Sequence, residues 1–214
     1  RAVNIALVNE YKMILERMGI DIHEVVDAAS TKPFGFSRFD PGPGLGGHCI
    51  PVDPWYFAWA ASRAGHPSRF VELAGEINTQ MPRHVVNAVA SILAQDAKDL
   101  DGSSVLVLGV AYKKNVGDVR ETPAAPIVED LQERGAQVQY HDPLVPNFPK
   151  MRRHDLGLHS VPLTEQVVHD ADVVLIVTDH DAIDFSLVAT AAKRVVDTRN
   201  VLSEAQVQGV YRRA

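Results

Sequence analysis

The sequence has little of three features that would place it in a specialised class of protein. One cysteine in 214 residues cannot form an internal disulfide. No apolar run approaches the roughly 20 residues that cross a bilayer. Basic residues do not outnumber acidic ones (21 against 27), and the net charge of -6 disfavours contacts with a nucleic-acid backbone. We therefore predict no membrane or nucleic-acid partner and a reducing, cytoplasmic location.

The amino-terminal segment lacks the pattern of a secretory signal. RAVNIALVNEYKM has no cationic stretch followed by an apolar core and a cleavage site. The sequence has no initiator methionine, and its first residue already lies in a helical pattern, which predicts a piece of a longer polypeptide. Its length is sufficient for one large domain or two small ones.

Residues 1–100 are predicted to be mostly helical. Apolar residues recur at helical spacing over 1–30, with Gly19 as a stop signal and Asp21 as the N-cap of a second helix. Helical periodicity returns in three further stretches, 55–64, 70–80 and 82–97. The last stretch is expected to begin at Pro82, because proline is favoured in the first helical turn.

Residues 30–54 interrupt these helices with a segment rich in proline and glycine. A long loop that carries aromatic and apolar residues points to function rather than disorder. Gly42, Gly44 and Gly47 have the spacing of a dinucleotide fingerprint, which requires a strand before it and a helix after it. Neither is predicted here. We expect these glycines instead to bring the backbone close to a ligand.

Cys49 is the only cysteine and lies in this loop, beside His48 and four residues before Asp53. A lone cysteine is often a small buried apolar residue. A glycine-rich turn with a histidine and an aspartate nearby supplies the polar surroundings of a reactive thiol. Two chemistries stay open: a cysteine hydrolase with His48 as base, and a cysteine that traps an aldehyde. No metal is predicted, because the histidines show no ligand spacing.

Residues 101–214 show a different period. Four short β-branched runs alternate with helical stretches; they are SSVLVLGVA, AQVQYHDP, DVVLIVTD and RVVDTRN. The helical stretches are TPAAPIVEDLQERG, closed by Gly135, and the regions near 163–169 and 186–192. This alternation predicts a Rossmann-like, doubly wound parallel sheet that binds ligands at the carboxyl ends of its strands. The predicted fold class is α/β, a helical domain followed by this sheet.

Cations cluster at that predicted edge. Lys113, Lys114 and Arg120 follow the first strand and precede a helix, which predicts a phosphate site at the helix N-terminus. Arg199 follows the last strand and can reach the same edge with a planar guanidinium suited to phosphate or base recognition.

The motifs together resemble the UDP-glucose/GDP-mannose dehydrogenase family. PGPGLGGHCIPVDP, LGVAYKKNVGDVRET and DTRN occur in the family's order, and RAVNIALVNE is similar to the start of its central helical domain. Val52, where UDP-glucose enzymes carry lysine, resembles the branch acting on UDP-N-acetylhexosamines. STKPFGFSRF and RFVELAGEIN are most similar to members that oxidise UDP-N-acetyl-D-glucosamine, with UDP-N-acetylmannosamine or another nucleotide sugar as the alternative.

The resemblance implies a four-electron, NAD-dependent oxidation of the sugar C6 alcohol to a carboxylate. Cys49 matches the family's nucleophile, and Asp53 matches the aspartate that assists the attacking water. The other matching positions are the backbone of Gly44, Leu45, Gly46 and Gly47 around the hexose, then Tyr112, Lys113 and Arg199 at the UDP, and Arg120 at NAD.

The resemblance also implies partners. In the family, the first helix of the central domain forms a dimer core, so a homodimer is expected. Pro33 stands where UDP-glucose enzymes present an arginine across the dimer. Family members bind NAD mainly through a preceding Rossmann domain, so these residues alone are expected to bind substrate without turning it over. The rival interpretation is a nucleotide-sugar-binding module that has no catalytic role.

Overall fold

Four helices form the amino-terminal part of the chain. The computed structural model describes residues 1–214. The helices are α1 (Ala2–Arg17), α2 (Ile22–Ser30), α3 (Cys49–Arg63) and α4 (Arg69–Ala94). The predicted break between the first two is confirmed: Gly19 has a positive φ of 71°, and the Asp21 carboxylate accepts a hydrogen bond from the His23 amide at 2.9 Å.

Two helix boundaries differ from the prediction. Pro82 lies inside α4 and does not start a new helix. The helix tolerates the missing amide because buried Met81, Val85 and Val86 hold it against the rest of the protein on both sides of the proline. The loop predicted over residues 30–54 is also shorter than expected, because α3 begins at Cys49. Prolines in the first two turns of α3 had indicated loop.

Five parallel strands form one sheet in the order β2-β1-β3-β4-β5. They are β1 (Ser104–Leu108), β2 (Gln137–His141), β3 (Val173–Ile176), β4 (Arg194–Asp197) and β5 (Val210–Arg213). The connecting helices are α5 (Ala124–Glu133), α6 (Glu165–Asp170) and α7 (Phe185–Ala191). The α/β prediction is confirmed. The fifth strand was missed because it has four residues, two of them arginines.

Helices cover both faces of this sheet. One face packs against α4 and α5 in a core of 28 buried residues, and the other packs against α6 and α7 in a core of 13. The second half of α4, including Val89, Ile92 and Leu93, belongs to the larger core. Helix α4 therefore joins the helical part to the sheet, and the division predicted at residue 100 stays a prediction. No helix combines the length and apolarity that a bilayer crossing requires.

Polar contacts tie α1 to the last strand. Lys12 is buried and donates to the carbonyl of Arg213 at 2.9 Å, and Arg212 donates to Glu16 at 2.7 Å. Contact with His84, together with the charges of Lys12 and Arg212, lowers the pKa of Glu16 to about 2 against the opposing effect of burial. The ionised carboxylate of Glu16 thus stabilises the junction between the helical part and the sheet.

We expect Glu16→Gln to destabilise the protein at neutral pH. A folded pKa of about 2 against an unfolded value of 4.5 gives a contribution of at most about 3 kcal/mol. This stability is complete above about pH 5 and is lost as the pH falls through the folded pKa, so wild type and variant should converge towards pH 2. Urea unfolding across this range measures the difference. Exposed Glu76→Gln is the control, and a pH-independent difference would contradict the assignment.

Candidate functional site

The predicted glycine loop lies across the carboxyl edge of the sheet. A Cβ added to Gly46 would lie 2.5 Å from the Tyr112 Cβ, and one added to Gly42 would lie 3.0 Å from Arg199 Nη1. Gly44 packs in the same way against Pro123 at the start of α5. The segments that follow β1 and β4 therefore meet on one loop, which only residues without a side chain allow.

Two buried asparagines hold this loop from the helical side. Asn9 of α1 accepts a hydrogen bond from the Gly42 amide at 3.0 Å and donates to Asn78 of α4 at 3.0 Å. Asn78 in turn donates to the carbonyl of Ala2 at 3.1 Å. Sequence reasoning missed this pair. Its signal was an asparagine, a poor helix former, on the inward face of each of two helices.

Cys49 and Asp53 lie on successive turns at the beginning of α3, and both are exposed. Residues four apart on a helix have Cβ atoms about 5–6 Å apart, so the two side chains can act on one bound group. The first-turn amides are without helical partners, which favours negative charge at this point. His48 forms no hydrogen bond with Cys49, so the pair needed by a cysteine hydrolase is not assembled.

An open cleft of about 1200 Å³ lies beside this helix, between α3, α4 and α5. Of the predicted site residues, Gly44 and Leu45 line it, together with His48. The lining does not include Cys49, Asp53, Tyr112, Lys113 or Arg199. Its other walls carry aromatic and cationic side chains: Trp55, Tyr56, Trp59, Arg83, Arg152 and Arg153. The cleft is thus bounded by the glycine loop and by both parts of the chain, and it is large enough for a nucleotide-sized ligand.

The two neighbouring lysines after β1 have different surroundings. Lys114 forms ion pairs with Asp181 at 2.6 Å and with Asp179 at 3.6 Å. Lys113 is exposed and forms no ion pair, so its charge is available to an anionic ligand. Of the three cations expected at this edge, Lys114 is paired by the acidic turn after β3 and Arg120 is paired by Asp118, so Lys113 is the one without an ion pair.

The predicted phosphate site at the start of α5 is filled by protein. Gly44 packs on Pro123 at this helix end, and the Gly47 amide donates to the carbonyl of Arg120 at 2.9 Å. The guanidinium of Arg120 points to solvent and pairs with Asp118 at 2.5 Å. An anion can approach Arg120 from outside, but the first two amides of α5 are buried and already donate to Thr122.

Arg199 is held rigidly beside the loop. Its Nε donates to the carbonyl of Val177 at 2.6 Å, and its amide donates to buried Asp197 at 2.8 Å. Asp197 also accepts from the Leu202 amide and from the Tyr211 hydroxyl. Burial raises the pKa of Asp197 despite these bonds. The Nη1 nitrogen of the Arg199 guanidinium faces the loop at Gly42.

The residues present do not fit a complete dinucleotide site. The helix α3 does follow the glycines, which corrects the sequence prediction, but no strand precedes them. Gly46 and Gly47 pack on Tyr112 and have no room for a pyrophosphate. Exposed Arg120 fits one contact to an anionic cofactor that is bound mainly elsewhere. No group of three metal-ligating side chains is present.

A doubly wound sheet whose carboxyl edge meets a glycine loop and a helix-starting cysteine defines a ligand-binding α/β protein. The chain belongs to the UDP-glucose/GDP-mannose dehydrogenase family. The family's central domain matches residues 1–80, and its UDP-binding domain matches residues 106–204. Members are NAD-dependent nucleotide-sugar dehydrogenases.

Individual relatives share both parts of the chain. The UDP-N-acetyl-D-mannosamine dehydrogenase of Methanocaldococcus jannaschii is 32% identical over 95% of this chain and 45% of its own length. The UDP-N-acetyl-D-glucosamine 6-dehydrogenase of Pseudomonas aeruginosa is 35% identical over 82% of this chain and 41% of its own. The NDP-N-acetyl-D-galactosaminuronic acid dehydrogenase structure from Methanosarcina mazei superposes with a TM-score of 0.85 at 29% identity, covering 99% of this chain and 47% of that one. The chain therefore spans about half the length of the relatives it matches.

We expect Gly46→Ala to cost about 1–3 kcal/mol of unfolding free energy, because the new methyl would collide with the Tyr112 Cβ and crowd the Glu121 carbonyl. Gly42→Ala is the matched control. Its methyl meets the far end of the Arg199 side chain, so its cost should be smaller. Urea unfolding of both variants measures the difference, and equal losses would show that the loop does not pack as described.

Proposed function

We propose that this chain provides the nucleophile and the substrate site of an NAD-dependent UDP-N-acetylhexosamine 6-dehydrogenase of the cytoplasm. One observation carries the proposal: the loop that ends in Cys49 packs on Tyr112 and beside Arg199 at the carboxyl edge of the UDP-binding unit. A UDP held there by Tyr112, Lys113 and Arg199 would have its sugar along Gly44–Gly47, with C6 directed to α3.

Cys49 and Asp53 then divide the chemistry. NAD, held mainly by residues outside this chain, would supply the acceptor for the hydride that C6 loses in each of two oxidations. The Cys49 sulfur bonds to the aldehyde carbon left by the first oxidation, and the resulting thiohemiacetal keeps the aldehyde bound. Loss of the second hydride leaves a thioester. Water adds to its carbonyl, positioned and deprotonated by Asp53, and the C–S bond breaks to release the acid and restore Cys49.

The start of α3 suits these steps electrostatically. Oxygen carries negative charge both when sulfur attacks the aldehyde and when water attacks the thioester. The amides of Cys49 and Ile50 in the first turn of α3 have no backbone partner and are backbone donors suited to that charge. The main NAD site and its catalytic partners lie, in this proposal, outside these 214 residues, so the chain alone should bind nucleotide sugar without oxidising it.

The amino sugar is the finer part of the proposal. We favour UDP-N-acetyl-D-glucosamine, from the segments STKPFGFSRF and RFVELAGEIN, with UDP-N-acetyl-D-mannosamine as the competitor. The named relatives act on different N-acetylated sugars, which supports the acetamido class and leaves the epimer to measurement. Val52, the residue before Asp53, lines the cleft and offers an apolar wall to an acetamido methyl.

Replacing Cys49 with serine separates a dehydrogenase from a simple binding module. Calorimetric titration with UDP-N-acetylglucosamine should give nearly the same affinity for this chain and for its Cys49→Ser variant, because the nucleotide provides most contacts. In a polypeptide that includes the cofactor-binding domain, the same substitution should abolish acid formation, because no thiohemiacetal forms.

The controls test the rival functions. His48→Ala should reduce turnover mildly, whereas a cysteine hydrolase would lose activity completely. Turnover that survives Cys49→Ser would contradict the covalent mechanism. Tight binding of NAD to this chain alone would contradict the assignment of the cofactor site to another domain.

We also propose a homodimer through α1. Five apolar side chains form one stripe along α1 and its C-cap residue, each between 40% and 63% exposed: Val3, Leu7, Tyr11, Ile14 and Met18. They recur every three or four residues, the spacing of one helix face. The helical part has only three buried residues in its own cluster, so this stripe has no intramolecular cover.

We expect Leu7→Glu, at the middle of the stripe, to convert a dimer into a monomer by placing a charge in an apolar interface. Size-exclusion chromatography with light scattering measures the mass. Gln132→Glu, at an exposed position of α5, adds the same charge elsewhere and should leave the dimer intact. A monomeric wild-type chain would refute the proposal.

A further inference from the structure

The loop of residues 112–118, which carries Tyr112 and Lys113, is attached to the sheet through a buried histidine. His180 follows β3 and its side chain is fully buried. Its Nδ1 accepts a hydrogen bond from the Asn115 amide at 2.9 Å. Its Nε2 lies 3.2 Å from the carboxylate of Asp142, which is equally buried. None of the sequence motifs singled out His180.

These two contacts define the protonation of the ring. Because Nδ1 accepts from a backbone N–H, it carries no proton, and the ring hydrogen must be on Nε2. Nε2 then donates to Asp142. His180 therefore acts as a neutral bridge with one accepting and one donating nitrogen, and each nitrogen has a single defined partner.

Asp142 is the fixed end of this bridge. Its carboxylate accepts from the amides of Val110 at 2.7 Å and Leu144 at 2.8 Å, so it joins the segments after β1 and β2. Burial acts to raise the pKa of Asp142, but the hydrogen bonds from His180 and these amides outweigh it and lower the pKa. The carboxylate is thus an ionised anchor within the sheet edge.

Asn115 is the end of this bridge that lies in the loop. Its φ of 59° is a left-handed conformation that asparagine tolerates better than most residues but that still needs support. Its side chain exchanges two hydrogen bonds with Asp181, donating at 2.6 Å and accepting from the amide at 3.0 Å. The Asp181 contacts are exposed to water, whereas the bond to His180 is partly buried and ends on a fully buried ring, so it is the stronger constraint on the loop.

We infer that His180 is a positioning residue for nucleotide binding: through its Nδ1 it fixes Asn115, and with it the Tyr112–Lys113 segment, in the place where UDP is to bind. The inference rests on the proposed function, in which Tyr112 and Lys113 contact UDP. His180 itself lies behind the loop and would not touch the nucleotide.

Two substitutions separate its nitrogens. Asparagine places an oxygen near the position of Nδ1 and keeps the acceptor for Asn115, whereas glutamine places an NH2 near Nε2 and keeps only the donor to Asp142. We expect His180→Gln to weaken UDP binding about tenfold, because the Asn115 amide loses its partner. His180→Asn should keep the affinity within about threefold of wild type. His169→Gln, at an exposed histidine, is the control for replacing a histidine with glutamine.

Calorimetric titration of the 214-residue chain and its variants with UDP gives the affinities. A purely structural role for His180 predicts that both variants lose affinity together, in proportion to their loss of thermal stability, and this would overturn the inference. Equal affinity of wild type and His180→Gln would also overturn it. A wild-type chain that does not bind UDP would instead refute the proposed function.

Amide hydrogen exchange tests the bridge even if a variant does not fold. In the wild-type chain the Asn115 amide should exchange as slowly as the amides of β1, although it lies in an exposed loop. It should stay protected in His180→Asn and lose at least about tenfold of its protection in His180→Gln. Exchange of the wild-type Asn115 amide at the rate of an open loop would show that His180 does not fix Asn115.

Discussion

The close packing of a glycine loop on the carboxyl edge of the sheet is the contact on which the rest of this structure depends. At Gly46 there is no room for even a methyl group beside Tyr112. The same loop continues into α3, so its position determines where Cys49 stands relative to the UDP-binding unit. The asparagine pair Asn9–Asn78 fixes the loop from the opposite side. The site is therefore formed between two parts of the chain, and neither contains it alone.

Buried polar groups give this edge its rigidity. Asp142 follows β2 and Asp197 ends β4. The carboxylate of each accepts hydrogen bonds from backbone amides that would otherwise be unpaired. Such groups are costly to bury unless every partner is present, which makes the arrangement specific. Arg199 and the segment after β1 are consequently held in place before any ligand arrives, as a binding site built on a rigid scaffold requires.

The sequence predicted more of the fold than of the contacts between the residues of the site. Hydrophobic runs located four of the five strands and the helices between them, because buried parallel strands leave an unmistakable apolar signal. Strand β5 gave no such signal, since two of its four residues are arginines. The preference of proline for the first helical turn gave a wrong helix start at Pro82, because tertiary packing supports α4 on both sides of this residue. Lys114 was misjudged because its partners Asp179 and Asp181 are distant in the chain.

By itself, the sequence determined the α/β class, the likeness to nucleotide-sugar dehydrogenases and the residue types of the site. These depend on local patterns and on motifs whose residues are contiguous in the sequence. Only the tertiary structure decided which cations stay free, that the start of α5 is covered, and that Cys49 begins a helix. It also joined Asn115, His180 and Asp142. Such outcomes depend on contacts between residues far apart in sequence, and one sequence carries no record of those pairings.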